Sequence, residues 1–228
     1  MFITLEGIDG AGKSTQARIL ERLIARTGEG RPTVRTREPG GWEGSEPLRK
    51  LIIEEHFHHP WTEALLFIAD RCEHFKRVIL PALQRNEIVL CERYNDSTLA
   101  YQVWGRGLPE EDVRKVILAT GLPEPDLTFW LDLDVEKALE RVSSRGEPDR
   151  IESDRYLLER ISKGYRFLWK KYPRRIRKID ASGTPEETAS KIKAELRLVL
   201  AALEIPDQNG GNPPREHEKR RNPDAGTP

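Results

Sequence analysis

The chain has 228 residues, enough for one domain with a sizeable core, and its 38 basic and 38 acidic side chains leave no formal net charge. That balance argues against a general electrostatic grip on nucleic acid, and no apolar run approaches the ~18 residues of a bilayer span. Neither nucleic acid nor membrane is an expected partner. Cys72 and Cys91 lack metal-like spacing, and no charged segment with an apolar stretch precedes the first strand, so a cytoplasmic protein with reduced thiols is expected.

Five apolar runs read as buried strands: Phe2–Leu5, Thr33–Thr36, Glu87–Cys91, Leu127–Leu133 and Ile176–Asp180. Helical patterns lie between them. Ala17, Leu20, Leu23 and Ile24 share one face after a glycine-rich loop, and a helix over Thr62–Leu83 carries Leu65, Leu66, Ile68, Val78 and Ile79. A helix is also expected over Val135–Val142. The last begins at Thr184-Pro185-Glu186-Glu187, where threonine caps, proline fits the first turn and Glu187 completes a capping box. Its apolar face is Ala189, Ile192, Leu196, Val199 and Leu203. Alternating strands and helices predict an α/β fold with a mostly parallel sheet, in which ligands gather at the carboxyl ends of strands. Residues 206–228 contain no large aliphatic or aromatic side chain and are expected to form a disordered polar tail after a domain spanning residues 1–205.

The motifs fall at those strand ends. Gly7 to Ser14 fits G-x-x-x-x-G-K-[ST], between a strand and a helix. Gly7, Gly10 and Gly12, with Asp9, Ala11 and Thr15 in the same loop, let backbone N–H groups curl around phosphates. Lys13 reaches terminal phosphates, the Ser14 hydroxyl can bind Mg²⁺, and the helix dipole points at the same place. A nucleoside triphosphate is the expected ligand. After the second strand, "TREPGG" sets Arg37 at a turn. Phe67 and Arg71 in "EALLFIADR" share a helix face, a ring and a guanidinium suited to a base. "CERYNDSTLAYQ" places Glu92 and Arg93 at the end of the third strand, a carboxylate for Mg²⁺ and an arginine for phosphate. Taken singly, "TREPGG" reads as a surface turn, Phe67 and Arg71 as core and solvated side chains, and Glu92–Arg93 as a surface ion pair.

Together, "GIDGAGKST", "TREPGG", "LLFIADR", "ERYNDSTLAYQ" and "RGEPDRIE" resemble the thymidylate kinase family, from about Met1 to Leu203. The resemblance implies a P-loop NTPase-type three-layer fold, a five-stranded parallel sheet surrounded by helices with a short lid over about residues 141–152. It implies transfer of a phosphoryl group from ATP to dTMP with Mg²⁺, in a helix-packed homodimer. Arg37 and Arg93 then clamp the dTMP phosphate, Phe67 stacks on thymine and Arg71 donates to a thymine carbonyl. Ser97 and Thr98 read the pyrimidine edge, Tyr101 presses on the sugar, Gln102 supports the base site, and Asp9 lies near the sugar 3′-hydroxyl and the metal. Three positions depart from the family pattern: Trp42 replaces the usual threonine, Glu92 the more frequent aspartate, and Tyr94 the histidine of the common bacterial "DRH".

Gly10 stands where some phosphate-transferring enzymes place an arginine. Family members without that arginine carry it in the lid, where this chain has Arg141, Arg145 and Arg150. Arg150 and Arg145 are the expected transition-state donors on lid closure, and Arg141 a phosphate contact or structural ion pair. His56, His58 and His59 read as a helix-end loop rather than a metal site, and "PRRIRK" as strand entry. Competing readings are another nucleoside or nucleoside-monophosphate kinase and a catalytically inactive nucleotide-binding scaffold.

Overall fold

The computed structural model describes residues 1–27, 31–144 and 154–204. Five parallel strands form one sheet in the order β2-β3-β1-β4-β5. They are β1 Phe2–Glu6, β2 Thr33–Arg37, β3 Ile88–Glu92, β4 Leu127–Asp132 and β5 Ile176–Asp180, within one residue of the expected bounds at each end. Every residue of β1 and β3 is buried. Helices cover both faces of a parallel sheet, so its inner strands read as continuous apolar runs rather than alternating ones. The edge strand β2 is only half-buried.

The helices are α1 Lys13–Thr27, α2 Glu46–Glu54, α3 Pro60–His74, α4 Leu80–Gln84, α5 Asn95–Thr98, α6 Glu110–Ala119, α7 Val135–Ser143, α8 Arg155–Lys171 and α9 Pro185–Glu204. The single helix expected over Thr62–Leu83 is instead α3 and α4 joined by a wider π turn, Phe75–Ile79. Pro81 has no N–H to donate, and the Leu80 N–H bonds Phe75 O, five residues back. A second π stretch, Leu99–Gly105, continues α5. Of the expected α1 face, Ala17, Leu20 and Ile24 are buried and Leu23 packs partly against the core.

Local signals set the helix starts. Thr184 Oγ1 accepts the Glu187 N–H at 3.2 Å while Glu187 Oε2 accepts the Thr184 N–H at 2.8 Å, the reciprocal capping box expected at α9. His59 Nδ1 accepts the Trp61 N–H at 3.3 Å, so one member of the histidine cluster caps α3, in keeping with a helix-end loop. Asp134 and Asp154 cap α7 and α8 in the same way. The main core joins β1, β3 and β4 to α1 and α8 through Ile3, Leu5, Leu20, Phe129, Trp130 and Tyr165. A smaller cluster on the α4 side holds Phe2, Ile79, Val89, Cys91 and Tyr94. The three-layer architecture leaves the ends of β1, β2 and β3 side by side, which is where the candidate residues converge.

Candidate active site

The loop between β1 and α1 turns through positive φ at Gly7 (143°), Gly10 (82°) and Gly12 (94°). At Gly10 a Cβ would lie 2.5 Å from Ala138 O of α7, so this position excludes a side chain for a packing reason as well as a backbone one. No acidic residue occupies the first turn of α1, which leaves its N-terminus electrostatically open to phosphate. Lys13 is buried, and its Nζ donates to Gly7 O and Ile8 O, both at 2.9 Å, and to Asp9 Oδ1 at 3.3 Å. Burial, and then the nearby Arg93 guanidinium, bring its ammonium down to about 8, against the opposing pull of Asp9.

One cavity of about 300 Å³ gathers the candidate residues from five segments. Its lining includes Asp9, Lys13, Ser14, Arg37, Phe67, Arg71, Glu92, Arg93, Ser97, Thr98, Tyr101 and Gln102. Arg37 ends β2 exposed and makes no ion pair among the described residues. Arg93 follows β3 with φ at 66°, a left-handed conformation that costs a non-glycine residue on the order of 1–3 kcal/mol. Its N–H donates to Leu5 O at 3.0 Å, and the next N–H, of Tyr94, donates to Glu6 Oε1 at 2.7 Å. That bend sends the guanidinium across the cavity floor. Its Nη2 donates to Asp9 Oδ1 and Oδ2 at 2.6 and 2.8 Å and to the Tyr101 hydroxyl at 2.9 Å, and Nη1 donates to Ser97 Oγ at 3.3 Å. Burial pushes the Asp9 carboxyl up, but Arg93 and Lys13 outweigh it and hold the group well below the usual carboxylate range. The Glu92–Arg93 pair is therefore no surface ion pair: each side chain has a separate partner.

At the other end of the cavity, Arg71 is 1% exposed rather than solvated. Its Nε donates to Glu38 Oε2 at 2.6 Å, and Nη1 to Thr98 Oγ1 at 2.8 Å and Asn95 Oδ1 at 3.2 Å. Nη2 has no partner among the described residues. Glu38 Oε1 pairs with His74 Nδ1 at 2.9 Å, and His74 Nε2 with Thr36 Oγ1 at 2.6 Å. The turn after β2 thus does more than reverse the chain. It supplies the buried carboxylate that neutralises Arg71. Gln102 Nε2 donates to Glu63 Oε1 at 2.9 Å, and Arg106 donates to the other oxygen of Glu63 at 3.2 Å. Glu6, Glu38, Glu63 and His74 are not distinguishable in the sequence. They are ordinary polar residues until the fold buries them beside the cavity.

The three departures from the family pattern each have a place. Trp42 Nε1 donates to Asp70 Oδ1 at 2.9 Å, while the Gly40 N–H donates to Asp70 Oδ2 at 3.0 Å, tying the loop after β2 to α3. Glu92 Oε2 accepts the Ser14 hydroxyl at 2.6 Å. Tyr94 is buried edge-on against Phe2, with Arg71 lying 5.2 Å from its ring centroid. The Ser14 hydroxyl and Glu92 carboxylate form a hard-oxygen pair beside the loop, a donor set that suits Mg²⁺. Arg141 makes no ion pair among the described residues. It donates to Gly10 O at 3.5 Å and to Gly183 O at 3.2 Å, clamping the loop after β5 to the glycine loop. Arg145, Arg150 and the tail lie outside the described residues.

A parallel sheet in this order, a G-x-x-x-x-G-K-S loop ending its central strand, and an arginine-lined cavity beside that loop define a P-loop kinase. The chain belongs to the thymidylate kinase family: the family model described as thymidylate kinase matches residues 5–192. A thymidylate kinase of Synechococcus sp. (strain JA-3-3Ab) is 44% identical over 210 residues, covering 90% of this chain and all of the relative. One of Alkalilimnicola ehrlichii is 45% identical over 208 residues, covering 89% of this chain and 90% of the relative. The crystal structure of thymidylate kinase from Ehrlichia chaffeensis superposes with a TM-score of 0.72 at 31% identity, covering 86% of this chain and 98% of that one.

Proposed function

We propose that the cavity between the glycine loop, α3 and α5 seats dTMP, with its phosphate at Arg93 and Arg37, in the ATP-dependent phosphorylation of dTMP to dTDP for dTTP synthesis. One observation carries this reading. One cavity of about 300 Å³ is lined both by a ring (Phe67) and an uncommitted guanidinium nitrogen (Arg71), suited to a base, and by two arginines, Arg37 and Arg93, suited to a phosphate. A kinase acting on an unphosphorylated nucleoside needs no arginine pair for an acceptor phosphate.

The chemistry is positioning and charge. The dTMP phosphate oxygen is the nucleophile and needs no strong base, so the protein must bring two anions into line and offset their repulsion. Arg93 and Arg37 hold the acceptor. Lys13 and the α1 N-terminus hold the ATP phosphates, with the loop after β5, fastened by Arg141, on the adenine side. Ser14 and Glu92 would hold Mg²⁺, which when bound screens the charge on the donor phosphates. Arg71 Nη2 donates to a thymine carbonyl, Phe67 stacks on the ring, Thr98 lies along the pyrimidine edge, and Gln102 braces that wall. Tyr101, over which the Arg93 guanidinium sits at 4.7 Å from the centroid, presses on the sugar. Asp9 neutralises Arg93 and Lys13 beside the sugar. Arg150 and Arg145 supply the transition-state charge from the lid.

Among the described residues no helix is long and apolar enough to cross a membrane. Cys72 and Cys91 are unpaired, in keeping with a reducing cytoplasm. Leu51 of α2 and Leu65 of α3 are 40% and 48% exposed, in keeping with a helix-packed homodimer, which sedimentation would weigh directly. The test of function is ADP release from ATP and Mg²⁺ with dTMP, dUMP, dCMP, AMP or thymidine as acceptor. dTMP is expected to give the highest kcat/KM. Turnover with thymidine alone, or none with dTMP, overturns the reading.

A further inference from the structure

We propose that Glu6 is a positioning residue for the acceptor phosphate: its buried carboxylate aims Arg93 through the Tyr94 N–H and the Ser97 hydroxyl. The inference rests on the reading of Arg93 as the grip on the dTMP phosphate.

Glu6 is the last residue of β1, fully buried directly behind the cavity floor. A carboxylate taken wholly out of water persists only if its oxygens are well bonded. Here Oε1 accepts the Tyr94 N–H at 2.7 Å, and Oε2 accepts the Ser97 hydroxyl at 2.5 Å and the Tyr165 hydroxyl at 2.9 Å. Two of these three bonds lead to Arg93. The Tyr94 N–H is the first donor after the left-handed residue, so the Oε1 bond fastens the chain where the strained bend at Arg93 needs support. The Ser97 hydroxyl gives its proton to Glu6, and this leaves its lone pairs for Arg93 Nη1 at 3.3 Å. One carboxylate therefore fixes both the backbone and one edge of the guanidinium, without touching the cavity itself. Ser97, whose only proton is spent on Glu6, then serves Arg93 rather than donating to the base.

A role in general stability and a role in aiming Arg93 make different predictions. Glu6→Gln keeps the size and can still accept the Tyr94 N–H. Its NH₂, however, cannot accept the Ser97 proton, so the serine lone pairs are drawn away from Arg93. The measurement, made above pH 7 where the Glu6 carboxyl is ionised, is equilibrium binding of dTMP and of thymidine to the folded variant, with KM for ATP and the thermal midpoint alongside. The expected result is a loss of dTMP affinity of about tenfold or more, thymidine affinity changed less than about twofold, and an unchanged KM for ATP. A lowered midpoint with dTMP affinity intact, or equal losses for dTMP and thymidine, overturns the proposal. If Glu6→Gln does not fold, Ser97→Ala carries the same test through the side-chain route, with the same selective loss expected and equal losses overturning it. Arg93→Ala separates the two layers. Selective loss of dTMP in Arg93→Ala but not in Glu6→Gln removes only the role of Glu6. No selective loss in Arg93→Ala removes the reading of the phosphate grip beneath it.

Discussion

The Arg93 guanidinium and the Asp9 carboxylate, 84 residues apart in the chain, meet at 2.6 and 2.8 Å across the floor of the cavity proposed to seat dTMP. The pair orients Arg93 but also neutralises part of the charge that a phosphate needs. Asp9→Asn keeps the shape and removes the charge. It is expected to lower kcat by about tenfold or more, through lost alignment, while KM for dTMP stays level or falls because a negative neighbour of the phosphate is gone. Steady-state kinetics with dTMP varied measure both. A large rise in KM with kcat intact would show that Asp9 binds substrate rather than organising its arginine.

Gly10 has no room for an arginine, and the proposed function takes that charge from Arg150. A side chain at Gly10 meets Ala138 O, and φ there is 82°. Arg150→Ala is expected to lower kcat by about 10³-fold or more, as loss of a transition-state arginine does, with a modest change in KM for dTMP. Adding Gly10→Arg to that variant is expected to restore nothing. Recovery of kcat in the double variant would mean that α7 yields and that the loop tolerates the arginine.

Glu92 and Ser14 form the oxygen pair proposed to hold Mg²⁺. Glu92→Gln is expected to raise the Mg²⁺ concentration for half-maximal activity by about 10–100-fold, with activity returning at high Mg²⁺. Titration of rate against free Mg²⁺ at fixed ATP is the check. An unchanged midpoint removes Glu92 from the metal's surroundings.

Asp70 carries two bonds from the loop after β2, and Trp42 provides one of them. Trp42→Phe is expected to cost about 1 kcal/mol of stability, the net worth of one hydrogen bond. Asp70→Ala is expected to cost more and to weaken dTMP binding through the loop that follows Arg37. Urea unfolding of both variants orders them. The reverse order would place the anchor elsewhere.

The buried Glu6 carboxyl also gives stability a pH signature. Burial first, and then the charge of Asp96, push it up to about 7, while Ser97, Arg93 and Tyr165 pull the other way. Lys13, Arg71, Arg175 and Cys91 also feel this group. Between the ordinary value of 4.5 and about 7 the folded state holds the extra proton. The contribution is thus full below 4.5 and lost as pH rises through 7. Glu6→Gln removes this slope, so its stability relative to the parent should improve with rising pH, by up to about 1.4 kcal/mol per unit within that window. Chemical denaturation at pH 5, 6 and 7.5 reads the difference. A constant difference across that range would mean that Glu6 is ionised throughout.

Much of this protein was legible without coordinates. Continuous apolar runs placed β1, β3 and β4 to within a residue, because a parallel sheet covered on both faces demands them; the edge strands β2 and β5 were placed as closely but are only partly buried, not the buried strands expected. Thr184 and Glu187 announced the start of α9, and the phosphate loop announced itself, because capping and glycine turns depend on a few adjacent residues. The twelve cavity residues named above were each legible as types in motifs.

Their working geometry was not. The sequence had no means to show that Arg71 is buried on Glu38, that Arg93 turns left-handed toward Asp9, or that Glu6 stands behind both Arg93 and Ser97. It also left open whether Pro81 would break a helix or widen it into a π turn. Local structure is set by neighbours in the chain, so the sequence by itself determined the strands, the caps and the phosphate loop. Burial and charge pairing depend on residues brought together from β1, β3, α3 and α8. Only the tertiary structure decided which carboxylates lose their water and which arginines they hold in place.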